Sequence, residues 1–128
     1  MDTREILGPH YEGWTAKRGD LSAVPLADGF VFQSPVARIE GADAYRQVAG
    51  QVGPAITKFD VRHLFFEGPM ACAILEWQMA PLSAPLSAAE LLEVREGRLV
   101  RSELIYDAQA LRAVAESAEM VDAGSLPN

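Results

Sequence analysis

The chain has little cysteine, little positive charge and no long apolar run, and each shortage excludes a class of protein. Cys72 is the only cysteine, so no intrachain disulfide can form and the chain suits a reducing compartment such as the cytoplasm. The chain has 11 Lys and Arg and 18 Asp and Glu, which gives a formal net charge of −7, and its basic residues are scattered along the sequence. We therefore expect no nucleic acid and no membrane surface as partner. No stretch has the length of a membrane span or the pattern of a targeting segment.

Motifs for metal and cofactor binding are also missing. His10 and His63 stand far apart in the chain, and with one cysteine they make no ligand cluster. The sequence has no glycine-rich phosphate loop, no nucleophile elbow and no pair of redox cysteines. We expect no metal ion and no cofactor.

The length of 128 residues and a hydrophobic fraction of 49% favour one domain, 1–128, with a real core. Apolar residues at three- and four-residue spacing indicate helices, and Gly, Pro and Asp residues mark their ends. The predicted helices lie at 2–18, from Leu21 for one or two turns, at 42–52, and from Asp107 to about Met120, before a frayed tail.

From Thr57 onward the period changes to two, which is typical of β-strands. Gly68 and Gly97 mark tight turns between them. The strands predicted from this alternation lie at 58–67, 70–80, 86–95 and 98–107. Two shorter strands are predicted earlier in the chain, at 29–33 and 37–40.

Two titratable side chains interrupt strand faces that otherwise consist of core residues. Because successive side chains of a strand point to opposite faces, His63 shares its face with Phe59 and Phe65. Glu90 shares its face with Leu92 in the same way. Burying an ionisable group without a partner costs several kcal/mol, so we interpret both groups as polar members of a lined cavity.

The last hairpin fixes which residues oppose each other. A three-residue turn at 96–98 sets Glu90 opposite Leu104 and Glu93 opposite Arg101. In this register, residues predicted to face the core lie opposite each other, and the opposite charges of Glu93 and Arg101 pair on the outer face.

The outer face of the predicted sheet is not wholly polar. Ile74, Leu91 and Ile105 lie on it by the same alternation. An apolar outer face of this kind indicates a homodimer surface.

The order of several short motifs resembles a known family. The motifs are Tyr11-Glu-Gly-Trp14, Arg18-Gly-Asp-Leu21, Phe30-Val-Phe-Gln-Ser-Pro35, Gly41-Ala-Asp-Ala-Tyr45, and residues 92–101 leading to Ile105-Tyr-Asp107. Over about residues 5–112 they are similar to the SnoaL-like branch of the nuclear transport factor 2-like superfamily. The resemblance implies an α+β cone, in which a strongly curved mixed sheet wraps around helices and encloses a deep apolar cavity, commonly in a homodimer. The C-terminal helix and tail, 108–128, would follow that core.

The resemblance does not choose a function, because the superfamily includes ketosteroid isomerases, polyketide cyclases, a dehydratase, an epoxide hydrolase and proteins that only bind. Where the isomerases have a general-base aspartate before a proline, this chain has Ser34, and a neutral serine cannot take a proton from carbon. The second carboxylic acid of the isomerase pattern falls near Glu90, and its tyrosine falls near Glu12, beside Tyr11. Steroid isomerisation of the familiar kind is therefore not expected. His63 with Glu90 is the nearest analogue of the His–Asp sites of related enzymes.

We predict Glu90 and His63 as the catalytic acid and base, because burial would raise the pKa of Glu90 toward neutrality and an ordinary His pKa of about 6.5 suits proton transfer. The alternatives are a Glu90 that reaches solvent or pairs with a neighbour, and a His63 bonded to a core carbonyl. His10 falls on the charged side of the first helix, where we expect it to face solvent. The predicted ligand-binding residues are Tyr106, Ser34, Tyr11, Trp14, Trp77, Phe32, Phe65, Met79 and Leu104.

The predicted function is a pocket for a small hydrophobic molecule, with cofactor-independent isomerase, cyclase or dehydratase chemistry by proton transfer. Two alternatives stay open. One is a non-catalytic binding protein for a similar molecule, and the other is a structural dimer whose cavity is filled by its own side chains.

Overall fold

The computed structural model describes residues 2–113 and shows an α+β cone, as predicted: a curved, mixed six-stranded sheet around helices. Among residues 2–113, none of the helices has both the length and the apolar composition of a membrane span. Residues 109–113 are helical, and the rest of the predicted C-terminal helix lies outside the described residues. The main elements are α1 (Thr3–Thr15), β1 (Leu26–Gln33), β2 (Arg38–Glu40), α2 (Ala42–Val52), β3 (Ile56–Glu67), β4 (Met70–Met79), β5 (Leu86–Arg95) and β6 (Arg98–Tyr106).

The strands follow the order β2-β1-β6-β5-β4-β3, and β1 with β6 is the parallel pair. The other neighbouring strands are antiparallel. The core lies between the sheet and the helices α1 and α2. Its buried cluster includes Ile6 and Leu7 of α1 and Phe30, Leu75 and Leu92 of the sheet. Burial of these side chains against one another is the main stabilising term.

The predicted short helix from Leu21 is not formed, because residues 21–24 make one hydrogen-bonded turn that is not helical. The carboxylate of Asp20 accepts a hydrogen bond from the backbone N–H of Ser22 at 3.0 Å. The N–H of Val24 then bonds the carbonyl of Leu21 at 3.1 Å. Pro25 has no N–H to continue the helix, and β1 begins at the next residue.

A bulge in β3 reverses its two faces. Val61 and His63 oppose consecutive residues of β4, so no residue of β4 is paired in register with Arg62 between them. Beyond the bulge Leu64 is on the inner face, while His63 is exposed and Phe65 is 58% exposed on the outer face. The predicted inward orientation of His63 and Phe65 is therefore wrong, because one extra residue inverts the alternation.

The predicted register of the last hairpin is confirmed, since Glu90 opposes Leu104. The predicted three-residue turn is wrong, because the turn is the dipeptide Glu96-Gly97, whose φ angles are 51° and 75°. An unpaired residue in β6, Val100, makes up the difference. The bulge thus gives the same pairing that a longer turn would have given.

Candidate functional site

The inner face of the sheet and the helices enclose a cavity of about 250 Å³ with almost wholly apolar walls. Phe59 stacks on Trp14 and on Trp77, with ring centroids 5.9 and 6.2 Å apart. Tyr45 of α2 lines the cavity beside Phe32, with ring centroids 5.2 Å apart. Of the predicted ligand-binding residues, those that line it are Trp14, Phe32, Ser34, Trp77, Met79, Leu104 and Tyr106.

Glu90 is the one charged side chain among the described residues that line the cavity. It is 4% exposed, on the inner face of β5. The hydroxyl of Tyr11 donates a hydrogen bond to Oε1 at 2.5 Å, and the hydroxyl of Ser102 donates one to Oε2 at 2.5 Å. A carboxylate has about four acceptor positions, so these two bonds leave capacity for a ligand or a proton.

Burial is the largest influence on the pKa of Glu90 and pushes it upward, because a low dielectric disfavours the charged form. His10, Ser102 and Tyr11 act in the opposite direction, and the pKa of Glu90 is lowered overall. These three partners therefore favour the ionised form of the carboxyl group. The predicted rise of this pKa is wrong, because His10 beside the carboxylate and the hydroxyls of Ser102 and Tyr11 outweigh the effect of burial.

His10 lies beside the same carboxylate. Its side chain is fully buried, and its Nε2 is 3.6 Å from Oε1 of Glu90, too far for a hydrogen bond. The predicted solvent-facing position is therefore wrong. Ile6 and Leu7 stand four and three residues before His10, and this helical spacing is the signal that would have placed it on the buried face.

The remaining polar groups of the site are hydroxyls. Burial raises the pKa of Tyr11 and Tyr45 well above their ordinary values, and raises that of Tyr106. All three phenols therefore stay protonated donors at neutral pH. The hydroxyl of Ser34 accepts from the backbone N–H of Ala37 at 3.1 Å and closes the turn between β1 and β2.

The structure thus brings only part of the predicted site together. Tyr11 reaches the site through its bond to Glu90 rather than as a cavity wall. His63 and Phe65 lie on the opposite face of the sheet, so the predicted pairing of His63 with Glu90 is not formed. Ser102 was missed because a serine opposite Leu92 carries no signal of its own. The catalytic role of Glu90 stays a prediction.

Within residues 2–113, no three side chains of His, Cys, Asp or Glu are grouped so that they could hold a metal ion.

A mixed curved sheet around helices, with an inner cavity, defines the class of nuclear transport factor 2-like cones. The family model of the SnoaL-like domain matches residues 9–102, and the chain belongs to this family. No curated protein matches the chain.

Solved structures with the same fold are distant in sequence. A nuclear transport factor 2-like protein of unknown function from Cytophaga hutchinsonii is 20% identical, with a TM-score of 0.75 over 88% of this chain and 96% of that chain. A putative ketosteroid isomerase from Kribbella flavida is 21% identical, with a TM-score of 0.70 over 82% and 77%. A hypothetical protein with a ketosteroid isomerase-like fold from Catenulispora acidiphila, in complex with trimethylamine, is 14% identical, with a TM-score of 0.70 over 87% of this chain and 92% of that chain. At these identities the likeness shows the fold alone.

Proposed function

We propose that the chain is a cofactor-independent enzyme that moves a proton on a small hydrophobic substrate, with Glu90 as the general base. The observation that carries the proposal is the buried side chain of Glu90, bonded by two hydroxyls, in the wall of an otherwise apolar cavity. The lowered pKa of this side chain favours its carboxylate form. Water is scarce in such a cavity, so a positioned carboxylate acts on a carbon acid without competition from solvent.

The simplest reaction of this kind is a double-bond shift in an unsaturated cyclic ketone. Glu90 takes a proton from the carbon between the carbonyl and the double bond, and the electron pair moves onto the carbonyl oxygen as a dienolate. Glu90 then returns the proton to the far carbon of the former double bond, so atoms and charge balance. Tyr106, a protonated phenol in the cavity wall, is the proposed hydrogen-bond donor to the dienolate oxygen.

The proposal differs from the familiar isomerase arrangement in the position of its base. Ser34 stands where those enzymes have an aspartate, and its hydroxyl closes a turn. The proposed base is the carboxylate of β5 instead. Membership of the SnoaL-like family and the fold shared with a putative ketosteroid isomerase support this class of chemistry.

The conversion of 3-cyclohexen-1-one to 2-cyclohexen-1-one tests the proposal, because the conjugated product is followed by its ultraviolet absorbance. We expect turnover by the native chain and a loss of about 100-fold or more in Glu90→Gln. The matched control is Glu93→Gln, which removes a carboxylate from the same strand on its outer face. Equal rates in Glu90→Gln and the native chain would dismiss Glu90 as the base.

A second candidate is a non-catalytic binding protein for a small organic cation. Glu90 gives the described cavity lining a single negative charge, and the indole rings of Trp14 and Trp77 present faces that attract cations. The related fold solved with trimethylamine supports this candidate. Calorimetry with choline and its neutral isostere 3,3-dimethylbutan-1-ol distinguishes the enzyme from the binding protein. If choline binds more tightly than the isostere, loses this advantage in Glu90→Gln and is not turned over, the binding protein is favoured.

We also propose that a second copy of the chain covers the outer face of the sheet. Phe65, Leu91 and Ile105 are exposed on this face, and Ile74 lies among them by register. Within residues 2–113, Phe65, Leu91 and Ile105 stay 41–58% exposed to solvent. Apolar side chains clustered in this way are typical of subunit interfaces.

A further inference from the structure

His10 occupies an unusual position beside the base. It is fully buried on α1 and adjoins Glu90, yet it does not line the cavity. Neither of its ring nitrogens has a hydrogen-bond partner within residues 2–113. Its ring meets that of Tyr11 edge-on, with centroids 4.8 Å apart. Buried polar atoms are normally satisfied, so an imidazole placed here needs a physical explanation.

The other groups around the carboxylate carry no positive charge. Tyr11 and Ser102 donate hydrogen bonds to it through neutral hydroxyls, and Tyr45 of α2 interacts with it only electrostatically. In the described part of the chain, no Lys or Arg forms an ion pair with Glu90. The titratable residues of β3, the strand that α1 contacts, are exposed or half-buried: Lys58, Asp60, Arg62, His63 and Glu67.

We propose that His10 is the counter-ion of Glu90, an imidazolium that keeps the buried carboxylate ionised and in place. A carboxylate removed from water is stable only when an opposite charge or sufficient donors compensate it. The 3.6 Å separation of Nε2 and Oε1 lets an imidazolium supply that charge, while the two hydroxyls fix the carboxylate's orientation. His10 is thus a positioning residue, since it acts on the substrate only through Glu90.

This inference rests on the proposed function for its use in catalysis, and it separates the two candidate functions. A His10–Glu90 pair carries no net charge, so a cationic ligand gains little attraction from the cavity. A base whose ionised form is prepared by a counter-ion remains ready to accept a proton from a neutral substrate. The counter-ion therefore favours proton transfer over the binding of an organic cation.

The charge of the imidazole is measured directly by ¹⁵N NMR of histidine-labelled protein. The chain has only two histidines, and the exposed His63 is assigned with the variant His63→Gln. We expect both ring nitrogens of His10 to carry protons at neutral pH. In Glu90→Gln we expect His10 to lose one proton, because its counter-charge is gone. A neutral His10 in the native protein overturns the inference.

A second measurement follows the base itself. In His10→Gln the midpoint of Glu90 ionisation, observed by ¹³C NMR of glutamate-labelled protein, should move to higher pH, whereas His63→Gln should leave it unchanged. An unchanged midpoint in folded His10→Gln also overturns the inference. If that variant does not fold, the ¹⁵N spectrum of the native chain alone decides whether His10 is an imidazolium. Neither readout needs a substrate, so a failure of the isomerisation assay leaves the counter-ion standing and removes only its catalytic use.

Discussion

The phenol of Tyr11 and the carboxylate of Glu90 are 79 positions apart in the chain and are joined by a buried hydrogen bond of 2.5 Å. Tyr11→Phe removes the donor and leaves Oε1 with one partner fewer. We expect the free energy of unfolding at neutral pH to fall by about 1 to 3 kcal/mol, the usual cost of a buried acceptor that loses its bond. Urea denaturation measures this loss. Tyr106→Phe, which removes a phenol with no bond to Glu90, should cost less, and equal losses in the two variants would argue against a special role for the Tyr11 bond.

The pH dependence of stability follows from the lowered pKa of Glu90. Relative to the ordinary value of 4.5, the folded state binds this proton less readily than the unfolded state. The stabilising contribution of Glu90 is therefore fully present above about pH 4.5 and is lost as pH falls through the lowered value. We expect the stability difference between the native chain and Glu90→Gln to decline on acidification, as measured by denaturation at several pH values. A difference that grows toward acid pH would mean that the folded-state pKa is raised.

Gly53 lies where the end of α2 meets the loop after α1. A Cβ added there would be 1.8 Å from the carbonyl oxygen of Arg18, and this backbone cannot move aside cheaply. We expect Gly53→Ala to lower the free energy of unfolding by about 1 to 3 kcal/mol or more, as overpacking does. Gly50→Ala is the matched control, because a Cβ there meets nothing within 4 Å and alanine should stabilise the helix by roughly 0.5 to 1 kcal/mol. Thermal denaturation of both variants should therefore show changes of opposite sign.

The outer face gives a prediction about oligomeric state. Leu91→Asp places a charge among the apolar side chains of this face, and we expect it to shift a dimer to a monomer in light scattering. Gln51→Glu makes the same change of charge on the exposed side of α2 and should leave the mass unchanged. A native chain that is monomeric at high concentration would refute the proposed interface.

Much of the fold could be predicted from sequence because the signals are local. The bounds of α2 and β5 match the predicted 42–52 and 86–95, since alternation and turn residues mark both ends. The bulges at Arg62 and Val100 could not be predicted, because neither residue differs in type from an ordinary strand residue. A bulge is decided by which pairing buries more apolar surface across the whole sheet.

The candidate site was predictable only in part, because only the orientation of Glu90 along its own strand is a local signal. The inward direction of Glu90 follows from alternation along one strand. Its surroundings do not, because Tyr11 and His10 reach it from a helix and Ser102 from the neighbouring strand. The direction of the Glu90 pKa depends on these three partners, so burial alone gave the opposite sign.

The proposed base and the arrangement of donors around it both depend on the ionisation of Glu90, which ¹³C NMR of glutamate-labelled protein measures directly. The signal of Glu90 is assigned by its loss in Glu90→Gln. We predict that this side chain is a carboxylate at neutral pH and that it takes up its proton only below about pH 4.5. A Glu90 that is still protonated at neutral pH would contradict both the proposed base and the arrangement of donors around it.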